Sequence, residues 1–167
     1  MNKIDKEDIL LFRDTVNTQA PIDKDGVSRM HKLERKPPFT EYSYIIDGTI
    51  AGEEVVRYTK SGISEKMMNK MKRGHIDNVS ELDLHGYTIK QTCEALSEFI
   101  YREQFEQFVR IIHGKGYRSD NKMSVLKTQV VNFLQQHPQV LAFHSCPPKD
   151  GGTGAIFALL KQQGISE

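Results

Sequence analysis

The chain has 167 residues, of which 38% are hydrophobic and 27% are charged, and its formal net charge is +1. This length suits one domain with additional segments. No apolar run reaches the roughly 18 residues of a membrane span, and the N-terminus lacks a signal-peptide pattern. The only cysteines, Cys93 and Cys146, form no Cys-x-x-Cys pair. We therefore expect a cytoplasmic protein with no membrane partner, disulfide framework or zinc site.

The N-terminal region predicts a helix followed by a linker. Residues 5–19 place apolar side chains at helical spacing behind Asp5, a suitable N-cap. We assign residues 1–20 to an amphipathic helix, which either docks on a partner or folds back on the main domain. Residues 21–59 are predicted to be an irregular linker, with a weak hairpin signal at Asp47-Gly48.

Residues 60–79 are predicted to be a basic helical segment. Ser64 can cap a helix that ends at Gly74, with Met67 and Met71 facing inward.

The basic excess of the chain lies in this segment. Residues 60–75 carry five Lys or Arg and one Asp or Glu. A local basic patch can bind phosphates even on a nearly neutral protein. The candidate nucleic-acid contacts are Lys70, Lys72 and Arg73. A solvated helix face is the alternative interpretation.

From residue 80 onward, strand and helix patterns alternate. The predicted strands are 81–85, 108–112, 140–144 and 155–160. Thr88 and Gln91 have capping-box spacing before the first helix, and Asp120 or Asn121 can open the second. The order β-α-β-α-β-β predicts an α/β fold over residues 80–163. We expect a two-layer sandwich of a four-stranded sheet and two helices, preceded by a helical N-terminal extension.

The stretch ELDLHG contains a carboxylate and an imidazole on one face of a strand. Side chains alternate along a strand, so Leu82 and Leu84 face one way and Asp83 and His85 the other. An imidazole can exchange a proton near neutral pH, and a carboxylate can orient it. The pair is therefore a candidate acid/base pair, although an ordinary exposed strand edge carries the same residues.

Two glycine-rich loops follow later strands. Such loops allow backbone N–H groups to approach an anion, although tight turns also need glycine. The candidate phosphate-binding residues are Gly114, Lys115, Gly116, Arg118, Gly151 and Gly152. If the first two strands are parallel, their loops meet at one edge of the sheet and bring His113 there too.

The remaining histidines have other expected roles. We interpret His144 as structural, and His31, His75 and His137 as surface residues.

These residue types suit metal-independent RNA cleavage. His85 would remove the proton of a 2′-hydroxyl while Asp83 orients it, and Lys115 with backbone N–H groups would stabilise the phosphorane. DNA lacks that hydroxyl. The sequence has no dense cluster of carboxylates, so it does not indicate a two-metal nuclease site. We expect no cofactor, although a divalent metal on Asp83 with His85 or His113 stays open.

The motifs LDLHG, HGKG and GGTGA, in this order and spacing, resemble the Smr (small MutS-related) domain family over about residues 80–161. The resemblance implies a four-stranded α/β sandwich with endonuclease activity. Asp83 and His85 match its catalytic Asp-x-His motif. His113, Gly114 and Gly116 match its second motif, which adds His113 to the candidate catalytic residues.

The upstream basic run resembles the stand-alone bacterial members of this family. These members are implied to cleave mRNA at collided ribosomes, on which their N-terminal helix docks; here that role would fall on residues 5–18. We therefore expect an endoribonuclease with mRNA and the ribosome as partners. A DNA-nicking enzyme and a non-catalytic RNA- or ribosome-binding module are the alternatives.

Overall fold

The computed structural model describes residues 37–44, 48–116 and 124–162. These residues belong to one compact unit of the chain, which spans residues 34–164. The predicted N-terminal helix, Arg118 and the proposed helix start at Asp120 or Asn121 lie outside the described residues. Within the described part, no helix combines the length and the apolar composition that crossing a bilayer requires.

One mixed sheet organises the described part of the chain. The elements are β1 (Arg57–Thr59), α1 (Glu65–Arg73), β2 (Ser80–Asp83), α2 (Ile89–Arg102), β3 (Phe108–Ile112), α3 (Val125–Gln136), β4 (Val140–Ser145) and β5 (Ala155–Leu160). The strand order is β1-β4-β5-β3-β2. Strands β2 and β3 are parallel, and the other neighbouring pairs are antiparallel. The predicted β-α-β-α-β-β order is thereby confirmed for β2 to β5.

The predicted four-stranded sheet is wrong by one strand. β1 adds a fifth strand by pairing antiparallel with β4, so that Arg57 lies opposite His144. This strand has only three residues, and its partner is more than eighty residues away, so no local pattern announces it. β1 is the strand found within residues 48–59, and its partner is β4. Among the described residues, it does not pair with a neighbouring strand across a turn at Gly48.

The two faces of the sheet bury separate cores, and strand alternation sends neighbouring residues to opposite faces. In β3, Val109 and Ile111 join the core beneath α2 and α3. Phe108 joins a second core beneath α1, where Met68 and Met71 are buried. The predicted two-layer sandwich is therefore incomplete, because the basic helix covers part of the second face.

Local signals located the helix ends with mixed success. The Thr88–Gln91 capping box is formed, and Gly74 ends α1 in a left-handed conformation. Ser64 caps α1, but Met68 rather than Met67 is fully buried beside Met71.

Two further expectations are corrected. Helix α3 is capped by Ser124, which accepts a hydrogen bond from the Lys127 amide. His137 is not a surface residue: it is only 3% exposed. Its ring packs against Phe133 on the preceding helix and against Phe39, which lies far away in the sequence. His144 is buried, as a structural histidine would be.

Candidate active site

Three loops meet at one edge of the sheet. Parallel β2 and β3 end together, with Asp83 opposite Ile112, and the Leu84 amide donates to the Ile112 carbonyl at 2.8 Å. Antiparallel β5 begins at this edge and β4 ends there. The parallel pairing expected from the sequence therefore brings the ends of β2 and β3 together with the β4–β5 loop.

Asp83 and His85 form a hydrogen-bonded pair at this edge. His85 Nδ1 lies 2.8 Å from Asp83 Oδ1, and the His85 backbone amide donates to the same oxygen at 3.0 Å. The side chain of His85 is 83% exposed and that of Asp83 is 45% exposed. Since Nδ1 donates to a carboxylate, Nε2 is the open nitrogen of the neutral ring, directed away from the carboxylate.

Hydrogen bonds keep the Asp83 carboxyl group ionised. The backbone N–H of His85 is the main cause of a lowered pKa for Asp83, partial burial opposes it, and the His85 side chain lowers the pKa further. The carboxylate therefore stays charged at neutral pH. It can hold one imidazole tautomer and stabilise the imidazolium that forms when Nε2 takes a proton.

His113 directly follows the end of β3 at this edge, but its side chain is buried. Its side chain is 3% exposed, and its Nδ1 lies 2.7 Å from the Gly114 carbonyl, so Nδ1 carries the hydrogen. Burial is the main reason that its pKa is lowered to about 4; the Gly114 hydrogen bond opposes this and the Lys127 charge adds to it. The ring is therefore neutral at pH 7 and is not exposed alongside His85.

The two glycine-rich loops bind each other. The amides of His113 and Gly114 both donate to the Gly154 carbonyl at 3.0 Å, so these two N–H groups are already used within the protein. A Cβ on Gly154 would lie 3.1 Å from the Lys115 side chain. The loops thus form one packed unit, which positions Lys115.

The predicted glycines have conformational roles as well. Gly116 has a φ of +70°, and a Cβ there would lie 2.9 Å from the Ser124 side chain that caps α3. Gly151 and Gly152 have φ values of +110° and +60° in the β4–β5 loop. Steric limits on L side chains account for glycine at these positions.

A turn upstream of the sheet contributes a residue that the sequence did not single out. Lys115 Nζ lies 3.6 Å from Glu53 Oε1, and the Thr153 hydroxyl donates to Glu53 Oε2 at 3.4 Å. Glu53 therefore bridges the two glycine-rich loops. Nothing in its local sequence indicates this, because its partners lie more than sixty residues later.

The turn that carries Glu53 is fixed by a buried lysine. Lys127 is fully buried, and its ammonium donates to the carbonyls of Ala51 and Gly52 at 3.0 Å and also to that of Glu54. Burial lowers the pKa of Lys127, while the charges of Glu54 and Glu53 oppose the shift. The start of α3 is thus tied to the 51–54 turn.

The basic residues predicted on α1 lie on the second face of the sheet. Lys70 Nζ is 5.0 Å from the centre of the Phe108 ring, and Lys72 and Arg73 are exposed. Lys70 and Arg73 line a groove of about 640 Å³, to which Lys66 and His75 also contribute. The sequence missed both of these additional residues.

Within the described ranges, no three His, Cys, Asp or Glu side chains are arranged to hold a metal ion.

Both the sequence and the fold resemble those of known proteins. Residues 82–161 match the family described as Smr domain. A "Ribosome rescue factor SmrB" from Erwinia tasmaniensis is 30% identical, with 95% of this chain aligned to 92% of that protein. The chain belongs to the Smr family. A protein of the same name from Tolumonas auensis is 29% identical over 96% of this chain and 97% of its own length.

The fold is also that of a known Smr protein. The crystal structure described as "YdaL, a stand-alone small MutS-related protein from Escherichia coli" superposes with a TM-score of 0.62 at 21% identity, covering 72% of this chain and 92% of that one. The expected family resemblance is confirmed. The Smr match begins in β2, so β1, which adds the fifth strand, and α1, which covers part of the second face, lie upstream of the matched residues.

Proposed function

We propose that this Smr protein is an endoribonuclease that cleaves mRNA on stalled or collided ribosomes in the cytoplasm. Two relatives that align with this chain over nearly their whole length are named ribosome rescue factors. The proposed catalytic activity rests on the 2.8 Å hydrogen bond between Asp83 and His85, whose imidazole is exposed to solvent. An exposed base suits a long polymer better than a small enclosed substrate.

The geometry supports a transesterification step. His85 Nε2 takes the proton of a ribose 2′-hydroxyl, and the 2′-oxygen then forms a bond to the adjacent phosphorus. The bond from phosphorus to the 5′-oxygen breaks, and that oxygen takes a proton from solvent water. The products are a 2′,3′-cyclic phosphate and a 5′-hydroxyl end. Asp83 stabilises the imidazolium that the first proton transfer creates.

The basic residues of the edge would bind the phosphate. Lys115 is the cation of the HGKG loop, and its charge can stabilise the phosphorane once it exchanges Glu53 for substrate. Arg118, at the end of the same loop, is proposed to help. We assign His113 a positioning role in this loop, because its buried neutral ring cannot reach solvent in the described conformation.

Residues 1–20 are proposed to dock on the ribosome. This would bring the Smr domain to mRNA between collided ribosomes rather than to mRNA in general.

The test is cleavage of mRNA that carries collided ribosomes. The wild type and His85→Ala are incubated with it, with and without a chelator, and the new RNA ends are mapped. We expect cleavage by the wild type alone, unaffected by chelator, and 5′-hydroxyl ends.

The other outcomes each point elsewhere. Cleavage that chelator abolishes would replace the base mechanism by metal-assisted hydrolysis. Tight binding without cleavage by the wild type would make the protein a binding module. Nicking of DNA at a rate equal to RNA cleavage would remove the 2′-hydroxyl from the mechanism.

A further inference from the structure

One side of α1 presents a row of cations to a groove. Lys66, Lys70 and Arg73 follow each other at spacings of four and three residues, which places them on one side of the helix. All three line the same groove of about 640 Å³. His75, directly after the helix, lines it as well, and the half-buried Met67 supplies an apolar surface.

Helix stability does not explain this row. Cations favour the last turn of a helix, where Lys70 and Arg73 lie, but Lys66 is in the first turn, where the helix dipole opposes a positive charge. Among the described residues, neither Lys66 nor Arg73 forms a salt bridge, whereas the adjacent Glu65 pairs with Arg57 on β1. The groove therefore collects positive charge that no carboxylate of the described part neutralises.

The groove and the Asp83–His85 pair lie on the same face of the sheet. Leu82 and Leu84 point from β2 into the core beneath α2 and α3. Alternation therefore directs the Asp83 side chain to the other face, the one that α1 covers. Neighbouring Glu81 also faces this side, where it pairs with Arg110 of β3.

The end of α1 is joined to the catalytic edge of the sheet. Lys149, in the β4–β5 loop, donates to the Gly74 carbonyl at 3.0 Å. The next residue, Asp150, lies 3.6 Å from Arg110. A Cβ on Gly74 would lie 2.2 Å from the Asp150 carboxylate, so the helix terminus and this loop are in direct contact. These contacts fix the groove relative to the edge at which β2 ends.

We propose that the groove holds a single-stranded segment of the RNA that flanks the scissile phosphate, an inference that rests on the proposed ribonuclease function. Successive phosphates would contact Lys66, Lys70 and Arg73. A base would stack on the His75 imidazole, beside Met67. Stacking on an aromatic ring combined with a row of cations is a common way to bind single-stranded nucleic acid without reading its sequence.

The test measures RNA binding without cleavage. All variants are made in the full-length His85→Ala protein, and binding of a fluorescent single-stranded RNA is followed by anisotropy at several salt concentrations. Lys66→Gln/Arg73→Gln is compared with Lys90→Gln/Lys161→Gln, which removes two exposed cations outside the groove. Lys70 is left in place because it packs on Phe108.

Counterion release sets the expected result. Losing two phosphate contacts should reduce the slope of log affinity against log salt by about 1.4, while the control pair should leave it unchanged. His75→Ala should weaken binding several-fold with no change of slope. His75→Phe should restore the affinity, because a phenyl ring stacks but carries no charge. Circular dichroism checks that each variant is folded.

The outcomes separate this inference from the proposed function. If the wild-type protein cleaves RNA but the two double variants have equal slopes, RNA binding in the groove is refuted and the proposed ribonuclease function is retained. If the wild type does not cleave RNA while the slope falls only in the groove variant, the groove stands as a binding surface and the proposed function fails. If RNA does not bind to the parent protein, both are overturned.

Discussion

The carboxylate of Glu53 lies 3.6 Å from the ammonium of Lys115, so an acidic residue upstream of the sheet sits where a substrate phosphate would compete. Glu53 is held there by the Thr153 hydroxyl of the other glycine-rich loop. The lysine of the HGKG loop is therefore positioned but also partly neutralised in the protein without RNA.

Replacing Glu53 should strengthen RNA binding. Glu53→Gln removes the competing charge while keeping a polar side chain of the same size, so we expect several-fold tighter binding at low salt, measured by fluorescence anisotropy. Glu54→Gln is the matched control, because it changes the same charge one residue away. Equal effects of the two variants would show that only net charge matters.

Disrupting the Asp83–His85 pair should abolish cleavage and leave RNA binding intact. A general base contributes about 100-fold or more to a rate, so Asp83→Asn and His85→Ala should each lower cleavage by at least about 100-fold. Glu81→Gln alters a carboxylate on the same strand face that pairs with Arg110 instead, and should retain activity. Full activity in Asp83→Asn and His85→Ala would refute the assignment.

The Asp83 carboxyl group should titrate below its ordinary value. The backbone N–H of His85 is the larger cause of the lowered pKa, so His85→Ala should preserve most of the shift. Carbon-detected NMR titration of Asp83 in both proteins measures this. A return of the pKa to 3.8 in His85→Ala would show that the imidazole, and not the amide, holds the carboxylate.

Acid should destabilise the protein through two buried histidines. Burial lowers the pKa of both His113 and His137 from 6.5 to about 4. In the unfolded chain these two imidazoles bind protons below pH 6.5, whereas in the folded chain they bind them only below about pH 4. Stability is therefore complete above pH 6.5 and is lost as the pH falls, by about 3 kcal/mol for each imidazole.

Urea denaturation at pH 7 and pH 5 can measure this loss. His113→Gln should show a smaller loss between the two pH values than the wild type, because its side chain does not titrate. His75→Gln, at an exposed position, should behave like the wild type. Parallel losses in all three proteins would assign the acid sensitivity to other groups.

Removing the buried ammonium of Lys127 should destabilise the fold. Lys127→Met leaves the carbonyls of Gly52 and Glu54 without the ammonium donor and removes one of the two donors of the Ala51 carbonyl, and we expect a loss of roughly 3 kcal/mol in the free energy of unfolding. Lys90→Met, on the exposed side of α2, is the control and should change stability little. Hydrogen exchange should also accelerate at the Glu54 amide, which donates to Ala51.

The sequence itself determined the elements whose signals are local. Capping residues, glycine terminators and apolar periodicity act within a few residues, so the Thr88 cap, the Gly74 terminator and the strands 108–112 and 155–160 match their predictions. The ELDLHG alternation also predicted that Leu82 and Leu84 face one way and Asp83 and His85 the other: Leu84 is buried and Leu82 is half-buried, whereas Asp83 and His85 are exposed. The motifs LDLHG, HGKG and GGTGA were sufficient to indicate the family.

Only the tertiary structure decided the features that depend on distant partners. β1 exists because β4 offers it an edge, His137 is buried because Phe39 packs on it, and Glu53 reaches Lys115 because Lys127 holds its turn. Burial also separated two histidines that looked equivalent in sequence: His85 is open to solvent, whereas the pKa of His113 is lowered to about 4 by loss of solvation. A sequence pattern states which side chains could act, but desolvation and contact, which three-dimensional packing sets, determine which of them can exchange a proton with a substrate.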